Sequence, residues 1–402
     1  MTLRKRLLVI PMLCLLAGLP TAQARRPAKS EPVQQDESGL RQLPTRSYVI
    51  HTDISDDQLE IVIPHLERMA DEYSRRLSSL PGQTDDRRLP LYLFSDRQGY
   101  QKAGGRPDSA GFYDGERLLA LTGEKADARA WHIIQHEAFH QYLTNRLGTE
   151  IPMWINEGMA EYFGESLYTG DGFVSGVLPP WRVERIQQKL NNGGYLPLAE
   201  LLSMSPDQWN KALNGDNYDQ AWSLVQFLAH GDNGRHQADL LNYLKESSHG
   251  VDSLKSFAKC VGNVREVEAA WAEYYAGRSK IECARGYGLA AVQTYCAFLA
   301  RATVARQKIM SIDQLCQMAL AGTLRQPKGD MLPTYLLSDY KEWSGQLGHY
   351  DIDLSPKSKA HVTLRMPDDT KIFGRFTLRG GKVFGVEAWT DVKVDRKHNN
   401  AK

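Results

Sequence analysis

"WHIIQHEAFHQYLTNRLGTEIPMWINEGMAEYF", residues 131–163, is the stretch of the chain that says most about the fold. Glu137 and Glu157 stand in it among hydrophobic residues, and ionised carboxylates are seldom buried without a partner. His136 and His140 are four residues apart, so a helix carries both imidazoles on one face. We therefore expect these side chains to face a divalent cation and a water molecule bound to it.

The pattern H-E-x-x-H at residues 136–140 is typical of zinc sites in which two histidines bind the ion and the glutamate acts as a base. The sequence predicts that it lies on a helix from about Asp127 to Leu147, ended by Gly148. A second helix is predicted from about Pro152 to Leu167 and carries the triplet Asn-Glu-Gly.

These two motifs resemble the gluzincin metallopeptidases, and most closely the peptidase-MA-like exported proteins. The resemblance covers about residues 47–275. It implies an α+β fold with a zincin-like metallopeptidase domain, in which a small N-terminal sheet supports the active-site helices. It also implies a single zinc ion as the cofactor.

The resemblance further implies a role for individual residues. His136, His140 and Glu157 correspond to the zinc ligands, and Glu137 corresponds to the general base. Tyr218 begins "YDQAWSLVQFL", 61 residues after Glu157, and matches the residue that donates to the developing oxyanion.

The sequence gives less definite roles to three neighbouring residues. Glu161 shares a helix face with Glu157 and either orients a zinc-binding histidine or makes a surface ion pair. Gly158 is expected to let the two helices approach closely enough for both to reach the metal. His132 lies outside the motif and is expected to pack or to face solvent.

The substrate is less clear than the site. The G-A-M-E-N motif by which the aminopeptidases hold a free α-amine is missing, and "GFYDGERLLALTG" (111–123) stands in its place. We therefore expect an endopeptidase that acts on a peptide or protein substrate. Two alternatives stay open: a non-catalytic envelope binding module, and a metal hydrolase of a non-peptide amide such as a cell-wall cross-link.

The N-terminus predicts export. Three basic residues, Arg4 to Arg6, precede the apolar run 7–19, and Ala22-Gln23-Ala24 follows as a cleavage site. The apolar run is too short to span a bilayer core of ~30 Å. We expect a cleaved signal peptide, a periplasmic or secreted protein of a bacterium, and no stable membrane span after cleavage.

Four cysteines follow the signal peptide: Cys260, Cys283, Cys296 and Cys316. In an oxidising compartment this even count predicts two disulfides, with three possible connectivities. No C-x-x-C pair occurs, which disfavours a redox centre or a cysteine zinc site.

Composition excludes some classes of protein. The 402 residues are 42% hydrophobic and 24% charged, as in an ordinary globular protein. A net charge of +1 and the lack of long runs of one sign give no indication of a nucleic-acid-binding face. The oligomeric state is left open.

Local patterns divide the chain further. Strands are predicted at 47–53 and 89–96, with a hairpin over 111–123 that turns at Asp114-Gly115. The last segment alternates apolar and polar residues, which predicts a β-meander. The predicted segments are a signal peptide (1–24), a flexible leader (25–46), a catalytic domain (47–275), a helical, disulfide-bearing region (276–345) and a small β-meander (346–402).

Overall fold

The computed structural model describes residues 34–36, 38–80, 87–122, 128–148, 150–211, 215–247, 249–355 and 358–391. The predicted signal peptide and the start of the predicted leader lie outside the described residues. Within the described residues no helix is both long and apolar enough to cross a membrane.

The described residues form a mixed α+β protein with several small sheets. The helices are α1 Asp56–Arg76, α2 Arg97–Lys102, α3 Ala128–Leu147, α4 Met153–Gly164, α5 Pro180–Asn192, α6 Leu198–Ser203, α7 Pro206–Lys211, α8 Asp216–His230, α9 Gln237–Ser247, α10 Ser253–Cys260, α11 Val264–Ala276, α12 Lys280–Val304, α13 Ile312–Leu320 and α14 Tyr335–Ser344. The strands are β1 Gln34–Gln35, β2 Arg41–Pro44, β3 Tyr48–Thr52, β4 Leu89–Phe94, β5 Gly111–Tyr113, β6 Leu118–Leu121, β7 Leu167–Tyr168, β8 Phe173–Val174, β9 His349–Ile352, β10 Val362–Arg365, β11 Lys371–Arg379 and β12 Lys382–Thr390.

The N-terminal sheet has six strands in the order β1-β2-β3-β4-β6-β5. The pairs β3–β4 and β4–β6 are parallel, whereas β5 runs antiparallel to β6 at the end of the sheet. The β5–β6 connection turns at Asp114-Gly115 as predicted, and Gly115 has a φ of +99°, which favours glycine. This hairpin brings β5 alongside α3.

The helices α1, α3 and α4 surround a first hydrophobic core. The core includes Leu66 of α1, Phe139 of α3 and Phe163 of α4, all fully or almost fully buried. The buried amide of Gln135 donates from Nε2 to the carbonyl oxygens of Phe163, Gly164 and Ser166. The end of α4 is thereby tied to the middle of α3, which fixes the relative position of the two helices.

The β-meander is part of a second hydrophobic core, formed by α12, α13, α14 and the sheet β12-β11-β10-β9. Gly374 of β11 lies directly against α12, where an added Cβ would be 2.5 Å from Val292 and 2.7 Å from Cys296 Sγ. Since α12 reaches both cores, with Cys283 in the first and Cys296 in the second, the predicted boundary near residue 275 does not separate them.

The folded part of the chain begins within the segment that was predicted as a flexible leader. β2 pairs with β3, and Arg41 forms an ion pair with Asp56 at the start of α1. Leu43 packs against the first core. Because residues 25–46 are mostly polar, the sequence did not predict β2, a strand whose stability comes from pairing with β3.

The prediction of two disulfides is not met, because all four cysteines are free in the described structure. Cys283 and Cys296 lie thirteen residues apart on α12, which places them about 20 Å apart along the helix. Cys316 shares the second core with Cys296, while Cys260 packs at the edge of the first. The spacing of the four cysteines in the sequence did not predict these positions.

Candidate metal centre

The helix α3 presents His136 and His140 on one face, as their spacing predicts, and their Nε2 atoms lie 3.0 Å apart. The neighbouring helix α4 brings Glu157 to the same place. Its Oε2 atom lies 3.4 Å from His136 Nε2 and 3.5 Å from His140 Nε2. Three potential ligand atoms from two helices therefore form a compact triangle.

The size of this triangle suits a small dication. A point about 1.9 Å from all three atoms exists in its plane, and zinc bonds to histidine nitrogen and carboxylate oxygen are about 2.0–2.2 Å long. The three side chains are 12–13% exposed, so they are largely shielded but still reachable from solvent. The residues present fit a metal ion held by two imidazoles and one carboxylate.

Each histidine is oriented through its other ring nitrogen. His136 Nδ1 lies 3.1 Å from Glu161 Oε1, and His140 Nδ1 lies 3.1 Å from Asn156 Oδ1. When both oxygens accept from Nδ1–H, Nε2 is left free to bind a cation. Glu161 is buried, so it does not form a surface ion pair, and its role in orienting a zinc-binding histidine stays a prediction.

Two carboxylates lie close to the imidazole of His136. Burial opposes a charge on His136, but Glu157 and Glu161 outweigh it and raise the pKa of this imidazole to about 10. Burial likewise opposes ionisation of Glu157, yet His136 and His140 lower the pKa of its carboxyl to about 2. The site therefore favours a positive charge among these side chains, which a dication can supply.

Glu137 lies on the flank of the histidine face, toward the sheet. Its Oε2 accepts from the backbone N–H of Tyr113 in β5 at 3.0 Å. Gly111 makes this approach possible, because an added Cβ there would lie 3.0 Å from Ile133 and 3.5 Å from Glu137 Cγ. The backbone of the end strand thus holds this carboxylate, which is not one of the candidate ligand groups.

Tyr218 lies in the first turn of α8 and is partly buried against Trp209. Burial and the negative charges of Glu157, Glu161 and Glu137 raise the pKa of its phenol to about 12. With its pKa raised in this way, the hydroxyl of Tyr218 stays protonated at neutral pH.

Gly158 serves a different helix pair from the one expected. An added Cβ would lie 2.7 Å from the carbonyl oxygen of Ala221 and 2.9 Å from Val225, both in α8. The close approach is between α4 and α8, and not between α4 and α3. It brings the start of α8, with Tyr218, beside the helix that carries Glu157.

A buried ionic network behind the site was missed by the sequence analysis. His132, expected to pack or to face solvent, has Nε2 3.5 Å from Glu161 and Nδ1 3.7 Å from Glu165. Arg182 of α5 forms ion pairs with Glu161, Glu165 and Asp219. The burial of Arg182 could have been predicted, because this residue shares the buried face of α5 with Val183 and Ile186.

The imidazoles of His132 and His136 and the carboxylate of Glu161 form a second group that could hold a metal by distance alone. Here, however, the guanidinium of Arg182 already contacts Glu161. Its fixed positive charge opposes a second dication at that carboxylate. Of the two groups, the one formed by His136, His140 and Glu157 is therefore the better candidate for holding a metal ion.

Residues 131–251 match a family described as a protein of unknown function, DUF1570. The matched segment is just under a third of the 402 residues and contains every candidate site residue named above from α3, α4 and α8. No curated protein matches the chain. The similarity therefore covers the candidate site without bringing an activity to it.

Proposed function

We propose that this protein is an exported, zinc-dependent endopeptidase. The observation that carries the proposal is the triangle of His136 Nε2, His140 Nε2 and Glu157 Oε2, with sides of 3.0, 3.4 and 3.5 Å. Three protein ligands leave a fourth position of a tetrahedral zinc for water or substrate, which distinguishes catalytic from structural zinc sites. Glu137, which follows His136 in the chain and is held by the backbone of Tyr113, adds a base that a purely structural site does not need.

The residues divide the chemistry of hydrolysis among them. Zinc, when bound, supplies a Lewis acid that polarises the scissile carbonyl and lowers the pKa of water to ~7. Glu137 accepts a proton from the attacking water and passes it to the amide nitrogen as the carbon–nitrogen bond breaks. Tyr218 donates a hydrogen bond to the carbonyl oxygen while negative charge develops there. Asn156 and Glu161 keep the histidines turned toward the ion.

The position of β5 supports a peptide as the substrate. β5 is the terminal strand of the described sheet and pairs with β6 on one side only. Its backbone lies beside the site, as the bond from Tyr113 N–H to Glu137 indicates. An extended peptide can add to such an edge through main-chain hydrogen bonds, which brings its carbonyl groups past the metal.

The fold and the N-terminal sequence agree with this proposal. A partly parallel sheet ending in an antiparallel strand, followed by α3 and α4, fits the zincin-like arrangement that the resemblance to peptidase-MA-like proteins implies. The basic and apolar segments of residues 1–24 support the export part of the proposal.

The test is Glu137→Gln, assayed on a mixed peptide library read by mass spectrometry, with and without a chelator. We expect the variant to bind zinc like the wild type and to lose peptide cleavage by at least ~10²-fold, since the base is gone. Glu116→Gln, at an exposed glutamate of the β5–β6 turn, is the matched control and should cleave normally.

Three results would speak against the proposal. Undiminished cleavage by Glu137→Gln would remove Glu137 as the base. A wild-type protein without any chelator-sensitive peptide cleavage would favour a binding module. Cleavage confined to a non-peptide amide would replace the peptide with a cell-wall substrate.

A further inference from the structure

Arg182 is one of the most buried charged side chains in the described structure, with 6% of its side chain exposed. Its Nη2 contacts Glu161, its Nη1 lies 3.2 Å from Glu165 Oε1, and its Nε lies 3.0 Å from Asp219 Oδ1. The guanidinium also lies over the ring of Trp222, 5.2 Å from its centroid. One side chain of α5 thereby joins α4 to α8.

One branch of this contact network reaches the metal ligands. Arg182 binds Oε2 of Glu161, and Oε1 of the same carboxylate lies 3.1 Å from His136 Nδ1. The carboxylate is buried and is fixed from both ends, so it cannot rotate away from the histidine without breaking an ion pair. The orientation of His136 is therefore connected to Arg182 through a single group.

The other branch reaches Tyr218. Asp219, the next residue on α8, is 1% exposed and lies between Arg182 and Arg185. The start of α8 has no side-chain cap, and Asp219 helps to hold its first turn in place together with the Lys189–Asp216 ion pair and the packing of Trp222. The proposed oxyanion donor sits in that turn.

We propose that Arg182 is a positioning residue that fixes the side chains of His136 and Tyr218 in position relative to each other. The inference rests on the proposed function for the role of Tyr218, whereas its effect on the metal site is independent of any activity. A planar guanidinium with several donors can reach Glu161, Glu165 and Asp219 together, which a single ammonium cannot do.

The experiment compares Arg182→Met with Arg185→Met in the full chain. Arg185 also pairs with Asp219, 2.8 Å from Oδ1, but it is half-exposed and has no ion pair with Glu161. Zinc affinity is measured by competition with a chromogenic chelator, and the ligand field is followed by the absorption spectrum of the cobalt-substituted protein. Circular dichroism checks that each variant is folded.

We expect Arg182→Met to weaken zinc binding ~10- to 100-fold, as loss of outer-shell support typically does, and to change the cobalt spectrum. Arg185→Met should keep the wild-type affinity within about twofold, because it leaves the link to His136 intact. Equal zinc affinities in wild type and Arg182→Met would overturn the proposal. Should Arg182→Met fail to fold, Arg182→Lys retains the buried charge and is judged by the same criterion.

Asp219→Asn tests the second branch. We expect unchanged zinc affinity and a fall in kcat on a cleaved peptide with little change in KM, because only the position of Tyr218 is disturbed. A fall in zinc affinity equal to that of Arg182→Met would contradict the view that the two branches are separate.

If the wild type binds zinc but cleaves no peptide, the proposed function fails while the zinc comparison still decides the role of Arg182. A wild type that binds no zinc overturns both.

Discussion

At the residue scale, the candidate site depends on which ring nitrogen each histidine turns toward the cation. His136 and His140 both use Nδ1 for a protein oxygen, Glu161 for the first and Asn156 for the second. The two Nε2 atoms are consequently directed at the same point as Glu157 Oε2. A helix spacing of four residues brings the rings together, but the outer oxygens determine how the rings are oriented.

The phenol of Tyr218 gives a prediction at the same scale. Tyr218→Phe removes the hydroxyl and leaves the packing of the ring against Trp209 in place. We expect kcat for peptide cleavage to fall ~10²-fold or more, since one hydrogen bond to the developing oxyanion is lost. Zinc affinity should not change, because Tyr218 is not among the residues that hold the metal.

The measurement is a steady-state assay on a peptide identified from the library digest, combined with the zinc competition assay. Tyr92→Phe is the control, since Tyr92 of β4 stacks on His51 and packs with the cluster around Phe94 and Leu119. A Tyr218→Phe enzyme with wild-type kcat would mean that another group, or none, stabilises the oxyanion.

At the element scale, the sequence predicted the parts that have a regular local pattern. The predicted helices near 127–147 and 152–167 are confirmed as α3 and α4, although the second ends earlier, at Gly164. The β5–β6 hairpin is confirmed at Asp114-Gly115. Periodicity and turn chemistry are carried by neighbouring residues, so one sequence is enough to predict them.

What the sequence could not supply were the contacts between distant elements. Arg182 contacts a glutamate 21 residues earlier and an aspartate 37 residues later, and no local pattern links the three. β2 is polar and pairs with β3 at the side of the sheet, so its composition indicated a leader. Gly158 was correctly singled out for a close helix approach, but its partner depends on tertiary packing.

The contact at Gly158 gives a prediction for the α4–α8 pair. Gly158→Ala places a methyl carbon 2.7 Å from the carbonyl oxygen of Ala221, and backbone atoms cannot move as easily as a side chain. We expect a loss of about 1–3 kcal/mol in the free energy of unfolding, typical of overpacking, despite the better helix propensity of alanine. Urea denaturation followed by circular dichroism measures it.

Gly194→Ala is the matched control, because an added Cβ at Gly194 has no atom within 4 Å and Gly194 is exposed. This substitution should be neutral or slightly stabilising, since alanine has less conformational freedom to lose on folding. If both variants unfolded at the same urea concentration, α4 and α8 would not be as closely packed as their contact distances state.

At the scale of the whole molecule, two hydrophobic cores share the helix α12. Cys283, near its start, packs in the first core, and the residues from Ala290 onward pack in the second with the β-meander. The family match ends at residue 251, before α12 begins. The second core is therefore a substantial part of the fold that lies mostly outside the matched segment, to which it is joined through Tyr168 of β7.

The final prediction concerns metal binding and the stability of the entire chain. The three candidate ligands come from two helices, so they converge only in the folded protein and zinc should bind the native state in preference to the unfolded chain. Free zinc at a thousand times its dissociation constant then stabilises the fold by about 4 kcal/mol. We expect Tm to fall by several degrees when a chelator removes the metal and to recover when zinc, but not magnesium, is added, because magnesium prefers oxygen ligands. Differential scanning calorimetry measures the shift, and His140→Ala should abolish it by removing one ligand. A Tm that does not respond to zinc in the wild type, while the protein is fully folded, would show that these side chains do not hold the ion.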